Sequence, residues 1–128
     1  MLVKEVEVEV YVRRVFRVGK RSLGFYLPTR VGEYFTERGV SSLYTYLDID
    51  TMTIVYTPEL PPLDDVKKVR IVKVQTHSVN IHSKKTKVRY RVLVPKDYYI
   101  DLGIHSGDLV QLKFYPTYGV MKVRKIGE

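Results

Sequence analysis

The segment Arg91-Val92-Leu93-Val94-Pro95, followed closely by Leu102-Gly103-Ile104-His105-Ser106-Gly107-Asp108-Leu109-Val110, decides how this chain is read. It spells a strand, a proline-initiated helical turn, a glycine stop, a Gly-Asp turn and a second strand. A weaker version stands earlier, at Phe25-Tyr26-Leu27-Pro28 and then Arg38-Gly39-Val40-Ser41-Ser42-Leu43-Tyr44. The two prolines lie 67 positions apart (95 − 28) in a chain of 128. One β-unit is therefore written twice, and the two copies are expected to build one shared barrel. Two independent domains of about 60 residues would each bury too little surface to be comfortably stable.

Working outward, residues 5–12 alternate as a half-buried strand, with Val6, Val8, Val10 and Val12 set against Glu5, Glu7, Glu9 and Tyr11. The phase runs on through Phe16 and Val18, and Gly19-Lys20-Arg21-Ser22 reads as a turn. Leu23–Leu27 is a strand. Pro28 starts a helix of about two turns, in which Gly32 is a weak point and Gly39 the stop. Leu43–Leu47 and Met52–Tyr56 make a hairpin around Asp48-Ile49-Asp50-Thr51. In the second copy the phase slips between Val69/Ile71 and Val72/Val74, the mark of a bulge or a two-sided strand. Ser83–Thr86 is the loop that matches Phe16–Gly19 when the copies are aligned on proline. Lys87–Val94 is the cleanest strand. A short helix over Lys96–Leu102 follows, then a hairpin of Leu109–Tyr115 and Val120–Ile126.

The domain reading is a first repeat over 1–57, a proline-rich linker over 58–65 and a second repeat over 66–128. Each repeat is β-loop-β-α-β-β. Together they make a mainly β fold whose eight strands and two short helices suit a small closed barrel, since closure removes sticky edges. Val and Tyr dominate the apolar residues and Ala is absent, which also favours strands.

The net charge of +8 is unevenly placed. Residues 1–57 carry +1, residues 58–65 carry −3 and residues 66–128 carry +10, so the second half projects a field that attracts polyanions. Lys87, Arg89 and Arg91 share one strand face, about 6.8 Å between neighbours at ~3.4 Å per residue. Lys84 and Lys85 extend the row from the loop, on the length scale of successive phosphates. Arg13, Arg14, Arg17, Lys20 and Arg21 form a set of the same sense in the first copy, which Glu5, Glu7 and Glu9 could neutralise across strands.

Other chemistry is sparse. With no Cys there is no disulfide framework and no Cys-based zinc site, which suits a reducing compartment. His77 and His82 are five apart and face opposite sides of a regular strand, so with His105 they make no metal motif. Asp48 and Asp50 flank a turn and read as turn residues, as does Asp108 after Gly107. Most of the eleven tyrosines, including Tyr34, Tyr44, Tyr46, Tyr98 and Tyr99, read as core or rim; Tyr115 and Tyr118 flank a hairpin tip and are the most exposed pair. No nucleophile-base ordering and no phosphate-binding glycine loop occurs, so neither an enzyme nor a cofactor is expected. No run approaches ~18 apolar residues, and the charged start has no signal-peptide core, so no membrane is expected and the default location is the cytoplasm, or a host's cytoplasm if viral. Scarce Asn and Gln and absent Cys point to a hot habitat and an archaeal or viral source.

The second copy resembles the SpoVT/AbrB-like swapped-hairpin family, which includes MazE-type antitoxins. The resemblance rests on Arg91…Val94-Pro95, Leu102-Gly103-Ile104 and Gly107-Asp108, across Lys84–Arg124. The first copy keeps Leu27-Pro28 and Gly39-Val40 but has Gly24 where Arg91 stands and Ser42-Leu43 for Gly107-Asp108. What the resemblance implies is an exchange of hairpins, here within one chain as an intrachain pseudo-dimer, with no obligatory partner for folding and a further homodimer open. It also implies double-stranded DNA as partner and transcription regulation as function, with DNA met by the basic loop and strand ends of each copy. The matching positions are Lys84, Lys85 and Arg91, with Arg17 in the first copy and Arg30 and Lys96 near the helices. The alternative is a protein-interaction module or antitoxin-type adaptor that binds a protein partner and DNA secondarily.

Overall fold

Among the described residues the apolar alternation read above becomes ten strands and two helices in chain order: β1 (Glu9–Arg14), β2 (Phe16–Val18), β3 (Ser22–Tyr26), α1 (Thr29–Glu37), β4 (Ser42–Asp48), β5 (Thr53–Thr57), β6 (Arg70–Lys73), β7 (Gln75–Ile81), β8 (Lys85–Val94), α2 (Lys96–Asp101), β9 (Leu109–Tyr115) and β10 (Val120–Lys125). The computed structural model describes residues 7–62, 68–81 and 85–127, with the backbone alone at 79–81 and 85–86. The readings made at Glu5, Val6, His82 and Lys84, and the end of the proline-rich linker past Pro62, lie outside the described residues.

Among the described residues all pairing is antiparallel, in two sheets. One has six strands in the order β1-β9-β10-β5-β4-β6; the other has four, in the order β2-β3-β8-β7. The expected closed barrel is replaced by these two ladders, which face each other across a core of Phe25, Tyr56, Leu43, Phe114, Val92 and their neighbours. The hairpin of each half is embraced by strands of the other: β9-β10 lies between β1 and β5, and β4-β5 lies between β10 and β6. The halves therefore interlock and share one interior.

The registers show a pseudo-twofold relation. Phe25 pairs with Val92 at the centre of the four-stranded sheet, and Val55 pairs with Lys122 at the centre of the six-stranded one. Each pair is separated by the same 67 positions as Pro28 and Pro95, so each residue faces its own counterpart. The phase slip in the second copy now has a cause. The chain leaves the six-stranded sheet after β6 and enters the other at β7, with Val74 as the crossing point; Val15 is its counterpart between β1 and β2. Each crossing residue is held by the opposite half: Val15 N–H donates to Asp108 O at 2.8 Å, and Val74 N–H to Ser41 O at 2.9 Å.

Two further expectations are corrected. Val8, Val10 and Val12 point outward, 43, 52 and 48% exposed. The inner phase is Glu9, Tyr11, Arg13 and buried Val15, because Tyr11 lies opposite buried Leu112 and Val10 opposite exposed Lys113. Alternation reports a period but not which face is dry. Inward Glu9 is compensated by Tyr11, whose hydroxyl donates to its carboxylate at 2.5 Å, and by Arg30 at 3.1 Å. The second correction concerns loop matching. Phe16 pairs with Gly24, 8 positions on, and Gln75 with Arg91, 16 positions on. Gln75 is thus the counterpart of Phe16. The second hairpin is longer by eight residues, and Lys85 and Thr86 belong to β8 rather than to a loop.

The helices close alike. Val40 N–H donates to Phe35 O at 2.9 Å and Ile104 N–H to Tyr99 O at 2.8 Å, after Gly39 and Gly103 at φ 68° and 65°. Gly32 is required by packing, since a Cβ there would sit 2.1 Å from the Tyr90 ring. Tyr56 ties the sheets together: its buried hydroxyl donates to Leu93 O at 3.0 Å, and burial pushes its pKa far up. Asp108 accepts from His105 N–H at 2.8 Å, which holds its carboxyl below the usual range, aided by Lys125 at 3.6 Å.

Gly32→Ala should lower stability by up to about 2 kcal/mol in urea denaturation, because overpacking of about 1–3 kcal/mol outweighs a helix-propensity gain of about 1 kcal/mol; a stabilised variant would contradict the Tyr90 contact. Asp108 has a depressed folded pKa, so its contribution is complete above the unfolded carboxylate value of about 3.9 and fades as pH falls below it. Wild type should accordingly exceed Asp108→Ala in melting temperature at pH 7, with the gap narrowing as the pH falls below the unfolded carboxylate value and closing once the carboxyl is protonated in the folded state as well.

Candidate nucleic-acid interface

β8 owes its cationic row to strict alternation. Tyr90, Val92 and Val94 are buried, so Lys87, Arg89 and Arg91 fall on the outer face of the four-stranded sheet. β3 runs beside β8 only as far as the bond from Leu27 N–H to Tyr90 O; beyond it, β8 pairs with β7 alone. Residues 77–81 and 85–89 therefore form a two-stranded ribbon, with Lys87 and Arg89 along it.

The row has built surroundings. The Arg89 guanidinium lies 5.1 Å from the centre of the Tyr26 ring. That ring stacks on Phe16 at 4.8 Å, and its hydroxyl shares a 3.2 Å hydrogen bond with His77 Nε2. Arg91 Nε donates to Gln75 Oε1 at 2.8 Å. Arg13 arrives from β1, and with Tyr26, Leu27, Thr29, Lys87 and Arg89 it lines a cleft of about 270 Å³. The four ion pairs among the described residues are Arg30–Glu9, Arg70–Asp97, His105–Asp108 and Lys125–Asp108. None of them involves Arg13, Lys87, Arg89 or Arg91, and Glu9 is spent on Arg30 rather than on the first-copy arginines.

Of the sequence-derived residues, the structure brings together Arg13, Lys87, Arg89 and Arg91. Arg14 is drawn to the other side, where its guanidinium donates to Gly107 O at 2.7 Å. Arg17 is exposed on β2, an edge strand, and Lys20 and Arg21 are exposed in the 19–21 turn, at the opposite end of the sheet from the β7–β8 tip. Lys84 lies outside the described residues, as does the side chain of Lys85. The first-copy set is therefore dispersed and does not form a second prong like the first. Its asymmetry has a steric cause: a Cβ at Gly24 would lie 2.8 Å from Val92 O and 3.2 Å from Val18. Gln75, Tyr26, His77 and Phe16 were missed in the sequence, because only pairing across strands brings them beside the arginines.

Asp48 accepts from Thr51 N–H at 3.4 Å, a turn contact. Among the described residues no three His, Asp or Glu side chains group as a metal site, and no helix is long and apolar enough to cross a membrane. No family model matches the chain, and no curated protein or solved structure matches it.

Gly24→Arg, which would restore repeat symmetry in sequence, should destabilise the fold by roughly 1–3 kcal/mol in denaturant titration; a variant as stable as wild type would show that the site has room.

Proposed function

We propose that this protein binds double-stranded DNA as a transcription regulator, on the swapped-hairpin plan that its second repeat resembles, with both copies in one chain. The observation that carries the reading is the set formed by exposed Lys87 and Arg89 with half-buried Arg13 and Arg91, none of which has a carboxylate as ion-pair partner among the described residues. The interlocked hairpins support the plan. A two-stranded ribbon suits a major groove about 12 Å wide. In this mechanism phosphates fix the position of the ribbon through Arg13, Lys87, Arg89 and Arg91, and the arginines add sequence preference where one reaches a guanine edge by a bidentate contact. The contact is one-sided, because Ser22 and Gly24 on β3 are the counterparts of Arg89 and Arg91. The protein works in the cytoplasm, without catalysis.

A protein-interaction module is the second reading, and the exposed Val8, Val10 and Val12 on edge strand β1 favour it. A protein partner recovered in a pull-down that survives nuclease treatment would support it.

Duplex affinity should fall with salt at a log–log slope of about −3.6, or ~0.9 for each of four phosphate contacts. Arg89→Ala and Arg91→Ala should each weaken binding and reduce the slope by about 0.9, measured by fluorescence anisotropy at several salt concentrations. Arg30→Ala, whose side chain is engaged with Glu9, should leave the slope unchanged; salt-independent binding would displace the phosphate contacts.

A further inference from the structure

The outer face of the six-stranded sheet is also cationic, and it lies on the opposite side of the molecule from Arg89. Its registers set Lys113 directly across from Lys122, and Gln111 from Arg124. Lys113, Lys122 and Arg124 are exposed, and none belongs to the four ion pairs. Like charges directly opposite one another destabilise a sheet. The compensation here is small: Lys122 Nζ lies 5.5 Å from the centre of the Tyr115 ring, and among the described residues Asp48 is the one carboxylate lining the cleft of about 240 Å³ that the three cations share with Thr51 and Thr53. Lys122 sits at the middle of the face, where it also pairs with Val55 on the pseudo-twofold relation, and Lys113 lies one strand away. Protein interfaces place apolar side chains at their centre and are depleted in lysine. A polyanion with one charge per ~1.7 Å of axis fits such a centre instead.

We propose that this face binds a second segment of duplex DNA, so that one molecule holds two duplexes back to back. The inference rests on the β8 row binding the first segment. In a bridging assay, a bead-bound duplex and a fluorescent free duplex would be mixed with wild type, with Lys113→Gln/Lys122→Gln/Arg124→Gln, with Lys87→Gln/Arg89→Gln/Arg91→Gln, and with all six changes, each checked for folding by circular dichroism. Wild type should capture the free duplex, and each triple variant should bind one duplex but capture no second. In anisotropy, the β8 triple variant should keep salt-dependent binding whose log–log slope drops by about 2.7, ~0.9 per cation, when the other three are neutralised. If the Lys113, Lys122 and Arg124 variant bridges like wild type, or if wild type binds a single duplex and the β8 variant none, the second face is wrong while the β8 reading stands. If the β8 variant binds as tightly as wild type and neutralising the other face abolishes binding, the β8 reading fails and the second face survives as the sole one. Loss of polyglutamate binding in the Lys113, Lys122 and Arg124 variant, with duplex capture unchanged, would assign the face to an acidic protein and overturn the proposal.

Discussion

Neither half of this chain can bury its apolar residues by itself. Phe25 and Val55 meet their own counterparts, Val92 and Lys122, across the two central ladders, and each hairpin is flanked by strands from the opposite half. Burying one large apolar side chain gains about 1.5–3 kcal/mol, and here most such burial exists only when both halves are present. The crossing points obey the same constraint. Val15 and Val74 can leave one sheet for the other because backbone groups at Asp108 and Ser41, in the opposite half, take the N–H groups that would otherwise be orphaned.

This mutual dependence also distributes the charge. Once Tyr90, Val92 and Val94 are committed inward, Lys87, Arg89 and Arg91 have no choice but the outer face. Once Leu112, Met121 and Val123 are committed inward, Lys113, Lys122 and Arg124 are forced onto the opposite outer face. Two cationic surfaces on the two sides of one sandwich are thus a consequence of alternation in strands that share a core. Repetition does not make those surfaces equivalent. Gly24 is held small by Val92 O and Val18, so the counterpart of Arg91 is absent for steric reasons.

Much of the fold was legible because its signals are local. Pro28 and Pro95, Gly39 and Gly103, and the hairpins over 43–56 and 109–126 depend on φ preferences and short-range periodicity, and the elements fall within a few residues of the expected places. The β8 row was legible for the same reason, as one strand with one phase. The outward turn of Val8, Val10 and Val12 was not, since an alternating strand carries two faces of equal period and the choice depends on Leu112 in a distant hairpin. The eight-residue excess of the second hairpin was hidden as well. Aligning on proline carries the register only through β8, and the true match of Gln75 to Phe16 is set by pairing.

The amino-acid sequence by itself determined the repeat, the mainly β character, the turn and helix boundaries and the strong positive charge of the second half, all of which follow from chemistry within about ten residues. Tertiary structure decided which valines meet water, that Arg13 joins Arg89 while Arg14 turns to Gly107, that Tyr26 and Gln75 hold the arginines, and that Lys113 faces Lys122. Those outcomes depend on register between strands as many as about 100 positions apart, as between Glu9 and Phe114, and register is fixed only when both halves close on their common core.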